Sequence, residues 1–393
     1  MKPTIQDVLF SQVHEILPTR DLLAKEMKKR KIRLYLGVDP TGANLHLGHA
    51  IPLLKLRQFQ DLGHEVILLF GTFTARIGDP TGKDDVRKPL TEKEVRENMA
   101  TYKKQAGKIL DLSKTKIVRN GDWLGKLTLT DMLEIASRMT VSRLLERDMF
   151  QRRIKEGKEV WVHEMFYPLL QGYDSVAMDV DLEVGATDQT FNMLVGRKLQ
   201  QSYHKKEKFV LTTPLLMGPD GRKMSKSLGN TIHILDTPNE MYGKVMSIRD
   251  DLILHYAELC ANLSQKEVAI MGAGIENGSL HPREVKAGLA ETIVSLYHTP
   301  KKAKDAEREF NRVFRDKNLP LDMPEKKVSL NKIDAASLLV ALGLAPSKSK
   351  ARQLIEQGGA RVNGERVKDV GTVISPCKGM VVQVGKRLFA RVA

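Results

Sequence analysis

The stretch from Arg33 to Phe70 limits the fold more than any other. Arg33-Leu-Tyr-Leu-Gly-Val38 reads as a strand and Asp39-Pro-Thr-Gly42 as a turn. The spacing then predicts a helix over residues 45–62 and a second strand over Glu65–Phe70. A helix between two strands forbids a hairpin, so the second strand must return parallel to the first, with the helix packed on the sheet face. Helical periodicity returns at residues 92–110 and 131–147, and further strands are expected near 180–184 and 209–212. The order implies an α/β domain with a parallel sheet. Its character changes after Asn230: residues 238–315 carry helical periodicity and no strand signal. We therefore expect an α/β domain at 1–230, an α-helical domain at 231–320, a charged, proline-containing linker at 321–330 and a small α+β domain at 331–393.

With 393 residues the chain exceeds one ordinary domain, and 41% hydrophobic residues suits a globular protein with a sizeable core. The net charge of +15 favours an acidic partner, nucleic acid first and anionic membrane second, although a merely basic soluble enzyme also fits. Residues 331–393 carry 11 Lys/Arg against 4 Asp/Glu, about half the net charge in a sixth of the chain. That asymmetry marks a nucleic-acid-binding appendage. Only Cys260 and Cys377 occur, without metal-ligand spacing or a disulfide framework, which fits a reducing cytoplasm. No signal-type apolar run opens the chain, and Val66–Phe70 is too short to span a bilayer. No membrane partner and no structural metal are expected.

Two short motifs carry the chemistry. In His46-Leu-Gly-His49 two imidazoles share one face at a helix start, where free N–H groups and the dipole favour phosphate. Gly48 between them allows a base or ribose close to the backbone, and Thr41 and Gly42 add donors in the preceding turn. Alone, the motif fits a pair of surface histidines equally well. Gly221-Arg-Lys223-Met224-Ser-Lys226-Ser-Leu-Gly229 is a basic loop between glycines, able to close over a triphosphate and stabilise departing pyrophosphate. Together the motifs imply attack on the α-phosphate of ATP. Gly78-Asp-Pro-Thr-Gly-Lys83 is not a phosphate loop: it is one residue short, and Asp84 stands where Ser/Thr should hold magnesium. Tyr167, Gln171 and Asp174 have i, i+4, i+7 spacing and share one helical face.

These residues resemble a family across nearly the whole chain, the bacterial tyrosyl-tRNA synthetases of class I. Tyr35 through His49 is similar to the family's first signature and Lys223 through Ser227 to its second, in the spelling of the second bacterial branch. The resemblance implies a Rossmann-like catalytic domain. It implies that Tyr35 and Asp174 bind the phenol of L-tyrosine, that Asp79, Tyr167 and Gln171 hold its ammonium group, and that Gln189 lies near its carboxylate. It implies that His46, His49, Thr41, Lys223 and Lys226 serve ATP and the transition state. The resemblance places the ATP site at Gly37, Asp39, Gly48, Asp188, Met224 and Lys226 and makes Lys83 and Arg87 candidates for pyrophosphate contact, although an exposed charged loop fits these two equally well. The resemblance further implies that Mg2+ accompanies ATP and that the chain is a homodimer in the cytoplasm. The segment 347–364 resembles a small RNA-binding module, implying that Lys348, Lys350, Arg352, Arg361 and Arg366 contact tRNA phosphates. A tryptophanyl-type synthetase, an RNA-binding relative without catalysis and a small-molecule adenylyltransferase remain as alternatives.

Overall fold

A computed structural model describes residues 3–81, 90–315, 319, 323–328, 331–385 and 388–393. The chain divides into two compact units, 1–303 and 304–393.

The first unit is built on six strands: β1 (Glu15–Leu17), β2 (Arg33–Val38), β3 (Glu65–Phe70), β4 (Thr115–Arg119), β5 (Leu182–Ala186) and β6 (Phe209–Thr213). Their order is β1-β6-β5-β2-β3-β4, parallel throughout except for β1. Leu34, Tyr35, Leu36 and Val66 through Phe70 are all buried, as expected of strands covered on both faces. The direction of winding reverses between β2 and β5. Ligands of open α/β sheets bind at such a switch point, beyond the carboxyl ends of the strands.

Four helices frame that point: α1 (Leu47–Asp61), α2 (Glu92–Ala106), α3 (Val162–Met178) and α4 (Thr190–His204). In α1, Pro52 is the sixth residue rather than part of the first turn. Its missing N–H leaves the Gly48 carbonyl without an intrahelical partner. Residues 131–147 form no single helix; Leu129–Ala136 and Val141–Leu145 are separate, because Thr140 caps the second by accepting from the Arg143 amide. After β6 the unit is helical (Pro238–Met246, Ile253–Cys260, Gln265–Glu276, Pro282–Tyr297), and Pro300–Phe314 crosses the boundary between the units.

The second unit has its own core, in which Leu338, Leu339, Ala351, Ile355, Val382 and Ala390 are buried together. Helix Lys348–Glu356 leads through Gly358 and Gly359 into strand Ala360–Val362. That strand pairs antiparallel with Val381–Val384. Part of the expected linker lies outside the described residues.

Candidate active site

A cleft of about 640 Å³ opens at the switch point. Tyr35, Gly37, Asp39 and Thr41 reach it from β2 and its following turn; His46, Gly48 and His49 from the start of α1. Tyr167, Gln171 and Asp174 come from α3, Asp188 and Gln189 from the turn after β5, and Asp79, Lys223, Met224 and Lys226 from loops. Lys83 and Arg87 lie outside the described residues.

One end is closed. Tyr35 is fully buried and Asp174 2% exposed. The Tyr35 hydroxyl lies 3.0 Å from Ser175 Oγ. Burial, with Glu183 and Asp174 nearby, holds its phenol proton on well above the usual range. Asp174 accepts from Trp123 Nε1 at 2.8 Å and from Asn120 Nδ2 at 3.2 Å. Desolvation nevertheless drives its carboxyl well above the ordinary carboxylate range. Asn120 and Trp123 follow β4, so the unrecognised strand concealed both partners. Their types carry no signal of their own.

A polar belt follows. The Tyr167 hydroxyl donates to Asp39 Oδ2 at 2.9 Å, and Thr74 Oγ1 donates to Asp39 Oδ1 at 2.7 Å. Gly71 makes room for this carboxylate, since a Cβ there would fall 1.9 Å from Asp39 Oδ1. Gln189 Nε2 donates to Asp79 Oδ2 at 2.8 Å, and Gln171 Nε2 donates to Glu183 Oε1 at 3.1 Å. Glu183, Asn192 and Lys208 belong to this network and carry no motif in the sequence.

The other end is open and cationic. His46 is the N-cap of α1, and His49 Nδ1 accepts from the His46 amide at 3.2 Å. The rings lie 3.8 Å apart, and among the described residues His46 Nδ1 is buried without a partner. Desolvation first, then His49 and Lys226, lowers His46 to about 2; desolvation with Lys226 and His233 lowers His49 to about 4. Both are therefore neutral at pH 7 and present ring nitrogens without adding charge. Lys223 Nζ pairs with Asp188 Oδ2 at 2.9 Å. Lys226 crosses to the turn after β2, where a Cβ on Gly42 would sit 2.8 Å from its Nζ. Asn230 pins the loop, accepting from the Ser225 amide and donating to Asp220 and the Lys223 carbonyl. Among the described residues no group of three or more His, Cys, Asp or Glu could hold a metal ion.

In the second unit Lys348, Lys350, Arg352, Arg361 and Arg366 are all exposed. Among the described residues none of the five forms an ion pair with a carboxylate.

A buried polar pocket continuing into a lysine- and histidine-lined mouth at a Rossmann-type switch point is where an α/β protein of this kind takes a ligand. The sequence pattern of the class I tRNA synthetases (W and Y) matches residues 27–315, and that of the S4 domain matches 336–381. The chain belongs to the class I tRNA synthetases. Within that class its relatives are tyrosine–tRNA ligases. That of Moorella thermoacetica is 50% identical, over 98% of this chain and 94% of the relative. That of Thermotoga maritima is 45% identical, over 98% and 96%. Among solved structures, the tyrosyl-tRNA synthetase complexed with L-tyrosine from Archaeoglobus fulgidus has the same fold (TM-score 0.62, 24% identity, 77% of this chain and 100% of that one).

Proposed function

We propose that the chain is a tyrosine–tRNA ligase, which activates L-tyrosine with ATP and transfers the tyrosyl group to the 3′-terminal adenosine of its tRNA. The observation that carries this reading is the polarity of the cleft. Its closed end offers Tyr35 and Asp174 to a phenol, and its open end offers His46, His49, Lys223 and Lys226 to a triphosphate.

In the first step the tyrosine carboxylate attacks the α-phosphorus, the new C–O–P linkage forms and pyrophosphate leaves. The nucleophile is already ionised, so no general base is needed, and catalysis is positioning plus electrostatics. Asp79, Tyr167 and Gln171 hold the ammonium group, and Gln189 lies near the carboxylate. Gly37, Asp39, Gly48 and Met224 shape the nucleotide site. Asp188 takes the ribose, releasing Lys223 to the phosphates beside Lys226 and Thr41. In the second step a ribose hydroxyl of the tRNA attacks the carbonyl carbon of the adenylate, and AMP leaves. Mg2+ would accompany ATP and would offset the negative charge of the triphosphate.

We assign residues 1–230 to catalysis, 231–320 and 331–393 to tRNA, and 321–330 to the linker. A homodimer in the cytoplasm completes the reading. Leu129, Leu133, Val141 and Val162 are 62–77% exposed and offer an apolar face of the kind a second copy covers. No helix of the described residues is long and apolar enough to cross a membrane.

The test is ATP–pyrophosphate exchange with tyrosine, tryptophan and phenylalanine in parallel, without tRNA. Exchange with tyrosine alone is expected. Exchange with tryptophan instead overturns the roles of Tyr35 and Asp174, and exchange with none of the three overturns the activation chemistry.

A further inference from the structure

We infer that Lys208 and Glu183 form a buried charge couple that positions the amino-acid pocket, acting through Gln171, Asn192 and Gln189. The inference rests on the tyrosine reading above and deepens it.

Lys208 is fully buried and Glu183 is 2% exposed. Lys208 Nζ pairs with Glu183 Oε2 and donates to the Met193 carbonyl at 3.1 Å. It also lies 5.8 Å from the centroid of the Tyr35 ring. Gly196 on α4 makes the space: a Cβ there would meet Lys208 Nζ at 2.5 Å, Ser175 Oγ at 2.8 Å and Glu183 Oε2 at 3.4 Å. Stability alone is a poor account of such a pair, because desolvating two ions offsets most of their attraction and packed apolar residues serve as well.

The position of the couple supplies a better account. From Glu183 Oε1 a hydrogen-bond chain runs outward through the pocket wall. Gln171 Nε2 donates to Glu183 at 3.1 Å, and Gln171 Oε1 accepts from Asn192 Nδ2 at 2.9 Å. The same Nδ2 donates to Gln189 Oε1 at 3.2 Å, and Gln189 Nε2 donates to Asp79 Oδ2 at 2.8 Å. Each glutamine thus donates to a carboxylate and accepts from Asn192, which is itself 1% exposed. A carboxylate only accepts, so an ionised Glu183 fixes the direction of the Gln171 amide and of every amide as far as Asp79. A protonated Glu183 gains an O–H donor and frees Gln171 to turn over. The charged or titratable groups around Glu183 are Lys208, Tyr35 from β2 and Asp174 from α3. Lys208 is the one cation among them. It sets its ammonium against the Glu183 carboxylate, and neither residue need touch the substrate.

The test is steady-state exchange on the full chain between about pH 6 and pH 9. In Lys208→Met the KM for tyrosine is expected to rise about tenfold at the acid end and to return toward the unaltered value as pH rises, with the KM for ATP within about twofold. The double variant Glu183→Gln/Lys208→Met is expected to lose that pH dependence. Should Lys208→Met fail to fold, Glu183→Gln, nearly the same shape, carries the test: a several-fold rise in the KM for tyrosine with that for ATP unchanged. An unchanged KM for tyrosine overturns the inference. So does an equal rise in both KM values with a lowered melting temperature, the mark of a purely structural pair. An unaltered chain without tyrosine-dependent exchange overturns the underlying reading instead.

Discussion

Asp174 and Tyr35 illustrate how a few buried atoms can carry discrimination. Both are buried at the closed end of the cleft, so a substrate without a phenol leaves polar atoms unpaired there. Leaving one such group unsatisfied costs about 1–3 kcal/mol. Asp174→Asn is therefore expected to lower kcat/KM for tyrosine roughly ten- to a hundredfold while barely changing that for phenylalanine, read by exchange with each amino acid. Parallel losses for both would show that Asp174 serves the fold alone. His46 and His49 make a different prediction, because their surroundings disfavour the imidazolium. In the free protein an NMR titration should show both rings neutral from about pH 8 to pH 5, below the ordinary histidine value near 6.5. A midpoint near that value for either ring would remove the electrostatic account. The sign of the stability effect follows. Above the unfolded value both states are neutral and the fold keeps its full stability; between it and the folded values, about 4 and about 2, the unfolded chain binds protons that the folded chain refuses. Each histidine then weakens the fold by at most about 1.4 kcal/mol per pH unit as acid is added, measurable by urea unfolding.

Helix α2 has a role at the scale of elements. Asn98, Thr101 and Gln105 recur at i, i+3 and i+7 and face the loop between β2 and α1. Asn98 donates to the Pro40 carbonyl at 3.0 Å and Thr101 to the Ala43 carbonyl at 3.0 Å. Gln105 donates to the Ala43 carbonyl and accepts from the Leu45 amide, both at 2.8 Å. The helix thus holds the backbone that presents Thr41 and His46. Gln105→Leu should cost about 1–3 kcal/mol of stability and raise the KM for ATP several-fold without moving that for tyrosine; equal shifts in both would reduce α2 to scaffolding. None of this was visible in the sequence, where residues 92–110 showed only helical periodicity. What was visible depended on burial. β2 and β3 stood out because both their faces are covered and their residues run nearly all apolar. β4 was missed because an edge strand tolerates Lys116 and Arg119, and β1 because three residues give no period. The cleft was legible where two motifs concentrate unusual residues. It was illegible where ordinary types act through distant contacts: Lys208 ends a run, Lys205-Lys-Glu-Lys208, that reads as solvated surface.

At the scale of the whole molecule, the cleft and the most basic segment of the chain fall in different units. The cleft lies within the first unit, whereas residues 331–393 bury their own core and carry a net charge of +7 from 11 basic and 4 acidic residues. Phosphate contacts release counterions, so affinity for nucleic acid falls steeply with salt, while closing on a small substrate inside a cleft responds far less. Two outcomes are expected of one preparation. A chain ending at residue 330 should keep tyrosine-dependent exchange near the full-length rate and lose charging of tRNA by about tenfold or more. In the full chain, the logarithm of kcat/KM for tRNA should fall linearly with the logarithm of salt concentration. Neutralising Lys348, Lys350, Arg352, Arg361 and Arg366 together should flatten that slope by up to about 4.5, roughly 0.9 for each phosphate that the protein no longer neutralises. An unchanged slope would remove the basic face of this unit from the RNA interface, and full charging by the shortened chain would remove the unit altogether.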